Sequence, residues 1–341
     1  MANYTSTDLV NAQARFLGKF GNNDLNYRTP SVFLEFLRNT AIMLLSYEQL
    51  KTRDDRAIEV SYRTRTSRSL GSARAHNHSG AHGDSATLTP TWTTYSDPYS
   101  ISLKQADNNT LSYGEMLANE MENSMINFSE GIETVATAYA FNNRSGATLT
   151  TQEGTFDATD DAFEITETTH GDRAMQITLM SMKDNKHSGG MTVFCDNISY
   201  NKFMYQANQG SGNADNLSFQ FNGAKFVNAT ELGALGAGLV SAYAKGFWLC
   251  VPDGTISALP WIPLQNRNGV STRLSDYATL FNPIFGLDMA LHSYEALADG
   301  TSTNGMTQDV YDRMELSLDL SFNHAISTTA NTTPILAFAL V

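Results

Sequence analysis

Only two cysteines, Cys195 and Cys250, occur in 341 residues, and each lies inside an apolar, strand-like run. No disulfide scaffold is implied. Both are read as reduced core residues, as in a protein made in the cytoplasm. Basic residues are also scarce, with 22 Lys and Arg against 35 Asp and Glu, a formal net charge of −13. A nucleic-acid binder needs clustered cations to neutralise phosphate, so that class is excluded. No apolar run reaches the ~18 residues of a membrane span. The first residues, MANYTSTDLV, lack a basic region followed by an apolar one, so no secretory signal is expected. G-x-S-x-G, Walker, H-E-x-x-H and C-x-x-C patterns are all missing, and spacing singles out no pair of carboxylates. Nothing in the sequence speaks positively for an enzyme.

Two local absences carry more information. There is no lysine between Lys51 and Lys104, and no basic residue of either kind between Lys104 and Arg144. The second of these stretches holds the segment around which the chain is organised. Ser112-Tyr113-Gly114-Glu115 spells a capping box, with Leu111 and Met116 placed as a hydrophobic staple. Leu117, Met121, Met125, Phe128, Ile132, Val135 and Tyr139 then recur at steps of three and four, which predicts one long helix from Ser112 to Asn143. Such a helix spans roughly 43 Å, and burying its stripe contributes on the order of 10–20 kcal/mol at most. Gly131 interrupts the run and predicts a bend or a close backbone approach. The other face carries Glu115, Glu120, Glu122, Glu130 and Glu133 with nothing local to neutralise them. It is either a solvated acidic face, or one whose positive charge arrives from elsewhere in the chain or from another copy.

Before this helix, residues 1–50 predict two amphipathic helices. The first carries Leu9, Val10, Phe16, Leu17 and Phe20 and stops at Gly21. The second starts at Thr29-Pro30 and carries Val32, Phe33, Phe36 and Leu37. Residues 51–106 predict a long two-stranded excursion. Ile58, Val60 and Tyr62 form one strand, and the other returns through Tyr99, Ile101 and Leu103 with an earlier portion near 88–95. The excursion has too little apolar surface to fold alone, and it holds Arg56, Arg63, Arg65, Arg68 and Arg74. Those arginines complement the acidic helix face, and contact between copies is at least as plausible as contact within one. We therefore take Arg56, Arg63, Arg65, Arg68, Arg74, Glu120, Glu122, Glu130 and Glu133 as candidate inter-subunit contacts. His76, His78, His82 and Asp84 in the tip could be drawn as a metal site. They sit among small residues without a second shell, so the plainer reading is a polar tip.

Residues 144–172 are acidic, lack calcium-loop spacing and read as an exposed loop or flap. Beyond them a helix capped by Asp172 is expected, then a buried strand Met191 to Cys195, then a helix capped by Asp196-Asn197 carrying Ile198, Tyr200, Phe203 and Met204 and ended by Gly210. Gly233-Ala-Leu-Gly236-Ala-Gly238 has the wrong spacing for a dinucleotide site and reads as close packing. Phe247 to Val251 is a strand leading to the turn Pro252-Asp253-Gly254. Met314, Leu316, Leu318, Leu320 and Phe322 alternate with polar residues, a half-buried strand, and Ile335 to Val341 is a buried one. Trp92, Trp248 and Trp261 are read as core or interface anchors.

In this order the parts resemble the major capsid proteins of tailed bacteriophages, the Hong Kong 97 type fold, over nearly the whole chain. The matching stretches are Ile58 to Leu103, Ser112 to Asn143, Gly190 to Gln206 and Met314 to Phe322. The resemblance implies an α+β fold with an N-terminal arm (1–50) and an extended β loop (51–106). It also implies a peripheral domain with the long spine helix (107–172 and 311–328) and an axial α/β domain (173–310 and 329–341). It further implies a shell subunit, not an enzyme and without cofactors. Copies would form hexamers and pentamers of an icosahedral head enclosing double-stranded DNA without reading its sequence. Some family members crosslink through a lysine in the extended loop. None is available here, so a noncovalent shell is expected. An internal scaffolding segment does not fit in 50 residues, so a separate scaffold protein is expected, with portal and possibly decoration proteins as further partners. The alternatives are an encapsulin-type bacterial compartment shell and a metal-dependent hydrolase using the His76–Asp84 loop.

Overall fold

The computed structural model describes residues 6–43, 56, 59–63, 85–102, 112–146, 153–187, 189–208, 218–221, 223–272, 275–297, 310–325 and 333–341. Its arm is two helices, α1 (Ser6–Gly21) and α2 (Ser31–Met43). Ala12 and Phe16 of α1 and Val32, Phe33 and Phe36 of α2 are buried, at spacings that place them on one face of each helix. Val10 and Leu17, expected inward, are exposed.

Helix α3 (Tyr113–Asn142) is the predicted long helix. Ser112 caps it. The Glu115 amide donates to the Ser112 hydroxyl at 3.4 Å, and the Ser112 amide donates to the Glu115 carboxylate at 2.9 Å. Leu111, the expected staple residue, lies outside the described residues. Leu117, Met121, Met125, Phe128 and Ile132 are buried as expected, after which the seam runs through Ala136 and Ala140. Tyr139 is half-buried because its hydroxyl reaches His324 Nδ1 at 2.8 Å while its ring stacks on Phe322. Gly131 is exposed, with open space where a Cβ would stand, so it marks no close approach.

The excursion differs from its predicted form. Strand β1 (Val60–Arg63) pairs with β2 (Ser85–Leu88), whose Leu88 belongs to the expected earlier portion of the return, but among the described residues β3 (Thr93–Ser102) does not pair with β1. Instead β3 pairs antiparallel with β13 (Val310–His324), the strand predicted from the alternation around Met314. On its other side β13 pairs with β12 (Leu287–Leu297) and then with β10 (Ile256–Trp261), and β11 (Asp276–Asn282) completes this five-stranded sheet beyond β12. Alternation told which face of β13 is buried as far as Leu318, beyond which Asp319, Ser321 and Asn323 of the expected polar face are buried too. It carried no information about the partner.

A seven-stranded sheet runs in the order β4 (Thr155–Asp157), β5 (Ala162–Ile165), β14 (Leu336–Leu340), β9 (Phe247–Pro252), β6 (Met191–Cys195), β8 (Ala224–Asn228), β7 (Ser218–Phe221). Both of its faces are covered, which is why its central strands β14 and β9 are apolar throughout and β6 is apolar but for Thr192. Trp248 and Cys250 of β9 and Leu336, Phe338 and Leu340 of β14 join one core, while Phe247, Leu249, Ala337 and Ala339 join the other. The first core is closed by α5 (Ala174–Asp184) and α6 (Asn197–Asn208), the second by the arm and α3. Both cysteine thiols are free and fully buried, and burial pushes each well above its usual range.

The acidic stretch 144–172 is corrected from a flap to part of this sheet. Asp160 is buried and accepts the Val240 and Ser241 amides at 3.0 and 2.8 Å. Its neighbours Ala162, Phe163 and Ile165 are buried in β5, and the short helix α4 (Glu167–His170) follows. A 3-10 turn, not Asp172, opens α5, whose N-cap Arg173 makes no side-chain cap bond. Asp196 does cap α6, accepting the Ser199 amide at 2.7 Å, although Ile198 is exposed. Helix α7 (Glu231–Ala237) shows the predicted close packing at Gly236, where a Cβ would stand 2.8 Å from Phe247 Cβ. Gly210 lies outside the described residues.

Candidate functional site

The acidic face of α3 meets its complement in the arm of the same chain. Lys19, in the last turn of α1, donates to both carboxylate oxygens of Glu122, at 2.8 and 2.5 Å. The Arg28 amide donates to Glu130 at 3.2 Å, and the Arg28 guanidinium pairs with Glu231 of α7. Glu133 is 4% exposed and accepts the Val32 and Phe33 amides, each at 3.0 Å, with the Ser31 hydroxyl at 3.4 Å. These are the first amides of α2, which have no partner inside their own helix. A carboxylate from α3 therefore caps α2 from outside, where helix-end charge favours an anion. Burial nevertheless outweighs the donors and pushes the Glu133 carboxyl up to about 7.

Around this joint lies a cleft of about 240 Å³ lined by Tyr27, Arg28, Ser31, Glu133, Asn228 and Glu231, among others. Glu35 of α2 pairs with Lys225 of β8 and with Arg38. Phe33 and Phe36 sit edge-on against Phe285, Phe322 and Phe194, so the arm is bound by packing as well as charge. These partners were missed in the sequence because they lie about 100 residues from the glutamates they meet. Their only local sign is that the arm carries Arg15, Lys19, Arg28 and Arg38, cations with no acidic cluster beside them.

Of the remaining candidates, Glu120 is half-buried and has no ion pair among the described residues. Arg56 pairs with Asp319 of β13 at 3.2 Å, and its guanidinium lies 5.5 Å from the centre of the Trp261 ring. Arg267 lies 5.4 Å from the same ring. Trp92 Nε1 donates to the Arg56 carbonyl at 3.0 Å. Arg56 thus fixes the base of the excursion to the five-stranded sheet. Arg63 stands in β1 opposite Ser85, whereas Arg65, Arg68 and Arg74 lie outside the described residues. So do His76, His78, His82 and Asp84, and among the described residues no group of three or more His, Cys, Asp or Glu is placed to hold a metal. No described helix is long and apolar enough to cross a membrane.

No protein-family profile and no curated protein matches this chain. Solved structures do. A chain of the Cyanophage Pam1 capsid asymmetric unit, 11% identical, aligns with a TM-score of 0.51 over 92% of this chain and 93% of its own length. The fold is that of the Pam1 capsid chain. A structure from Mycobacterium phage Che8 aligns over the same shares, 92% and 93%, at 7% identity and a TM-score of 0.49. One from the asymmetric unit of the bacteriophage PhiM1 mature capsid aligns at 11% identity and a TM-score of 0.43, covering 84% of this chain and 82% of that one. The α+β fold expected from the order of parts in the sequence is thus present, except that among the described residues β3 pairs with β13 and not with β1.

Proposed function

We propose that this chain is a major capsid protein, the structural subunit that self-assembles into the icosahedral head of a tailed double-stranded DNA bacteriophage. The observation that carries this reading is the fold match to the Pam1 capsid chain, which uses more than nine-tenths of both chains and leaves little of this one to house another activity. The net charge of −13 suits a container that must not adhere to its contents. No catalytic role is assigned. The subunit belongs in the virion, formed in the host bacterial cytoplasm from hexamers and pentamers, with separate scaffold and portal proteins and room for decoration. We divide the chain into an arm (1–50), an extended loop (51–106), a peripheral domain carrying α3 and β13 and an axial domain carrying β6, β9 and β14, with β4 and β5 belonging to the sheet of the latter and β10 to β12 to that of the former.

Among the candidate contacts between copies, the excursion arginines Arg63, Arg65, Arg68 and Arg74 and the half-buried Glu120 carry the proposal. Glu122 and Glu133 already have partners in their own arm, so they contribute by holding that arm in place. The interface would be of the obligate size, on the order of 2,000–5,000 Å² per contact, where weak ion pairs matter for register. Electron microscopy of the expressed protein tests the reading. Closed shells or capsomers support it, while particles carrying an enzyme cargo in place of DNA would move it to the encapsulin alternative.

A further inference from the structure

The outer face of α3 is built from residues that a helix does not favour. Asn119, Asn123, Asn127, Gly131 and Thr134 are all exposed and follow one another at steps of four and three, so they form one row along the outside of the helix. Packing does not choose the residue at exposed positions, and each of these is a poorer helix former than alanine. Such a departure from local preference points to a demand from outside the helix. The three asparagine side chains make no hydrogen bond to another residue among the described residues. A carboxamide offers two donors and an acceptor, so the row is a series of unused hydrogen-bonding groups. Gly131 continues it with open space where a Cβ would stand. Glu120, which has no ion pair among the described residues, stands beside Asn119 and Asn123, and no basic residue lies between Lys104 and Arg144.

The chain also carries a complementary surface. Strands β1 and β2 form a two-stranded sheet of their own, a size that is marginal in water without support. Among the described residues each strand has one paired edge and one open edge, and an open edge presents a row of backbone donors and acceptors. Residues 60–83 hold Arg63, Arg65, Arg68 and Arg74 and no acidic residue. The repeats of the two surfaces match. Successive asparagines stand about 6 Å apart along α3, and backbone groups on one strand edge recur about every 6.6–6.8 Å. Strands β1 and β2 have four residues each and span about 13 Å, against about 12 Å from Asn119 to Asn127. We infer, on the shell-subunit reading above, that this face of α3 seats the β1–β2 sheet of a second copy. Asn119, Asn123 and Asn127 bond one strand edge, and Glu120 meets the arginines that follow it. The occupant is a second copy because, among the described residues of one chain, β1 and β2 pair only with each other while the asparagines bond nothing.

Assembly of the full chain, followed by sedimentation and electron microscopy, reads the effect. The triple variant Asn119→Ala, Asn123→Ala, Asn127→Ala should melt no lower than wild type, because alanine suits the helix better. It should need at least about tenfold more protein to assemble, as losing several hydrogen bonds per contact requires. A variant that assembles as readily as an assembling wild type would overturn the inference and leave the shell reading standing. A wild type that never assembles would overturn both. Should the variant melt lower, cross-linking with the asparagine row otherwise intact decides. Asn123→Cys combined with Ser61→Cys or Thr87→Cys, bridged by a short bis-maleimide in assembled particles, should join two copies, and the native Cys195 and Cys250 are buried out of reach. Bridges confined to single chains, or no bridge with either partner position, would refute the seat on α3.

Discussion

Replacing Arg56 by alanine separates a residue that anchors its own chain from one that faces a neighbour. In the structure the Arg56 side chain is 42% exposed, while the Asp319 side chain it meets is only 6% exposed. Asp319 keeps the Thr94 hydroxyl as a donor, so truncation leaves a buried carboxylate half-satisfied, not bare. A hydrogen bond to a charged group is worth about 1.5–3 kcal/mol, and the Trp261 ring adds about 0.5–1 kcal/mol. Exposure of the guanidinium reduces both, leaving a loss of about 2 kcal/mol. With unfolding entropy near 2.1 cal/mol/K per residue, a chain of this length should melt about 3 °C lower. Thermal unfolding of Arg56→Ala, Asp319→Asn and the double variant measures the coupling directly, and the cycle should return at least ~0.5 kcal/mol. A variant that keeps wild-type stability yet fails to assemble would refute the anchoring role and return Arg56 to the interface between copies.

Gly236→Ala should lower stability by about 1–3 kcal/mol, although alanine favours helix, because its Cβ would overlap the Phe247 side chain; denaturant unfolding checks this. Reversing Arg63, Arg65 and Arg68 together to glutamate should leave a folded, soluble subunit that forms no shells, and normal particles under the microscope would contradict the assigned contact.

Features fixed by neighbouring residues were legible in the sequence. The Ser112–Glu115 capping box, the alternation along β13 and the apolar β9 and β14 are local patterns with local causes, and each is present in the structure. Features fixed by distant partners were not. β4 and β5 are three and four residues long, and they are hidden in an acidic stretch whose key carboxylate, Asp160, is buried for backbone donors 80 residues away. The pairing of β3 with β13 spans more than 200 residues, whereas a hairpin was the nearest local solution. Charge on the long helix was correctly seen as uncompensated locally, but Lys19, Arg28 and the amides of α2 could not be assigned to it without the fold. Arg65, Arg68 and Arg74 lie outside the described residues, and their role rests on the sequence and the proposed assembly.

The central claim is that this polypeptide reaches its working state only among copies of itself. Sedimentation velocity of the purified full chain across a range of concentrations tests it most directly. Capsomers or shells in exchange with a smaller species are the predicted result, and a single monomer boundary that persists at high concentration would contradict it.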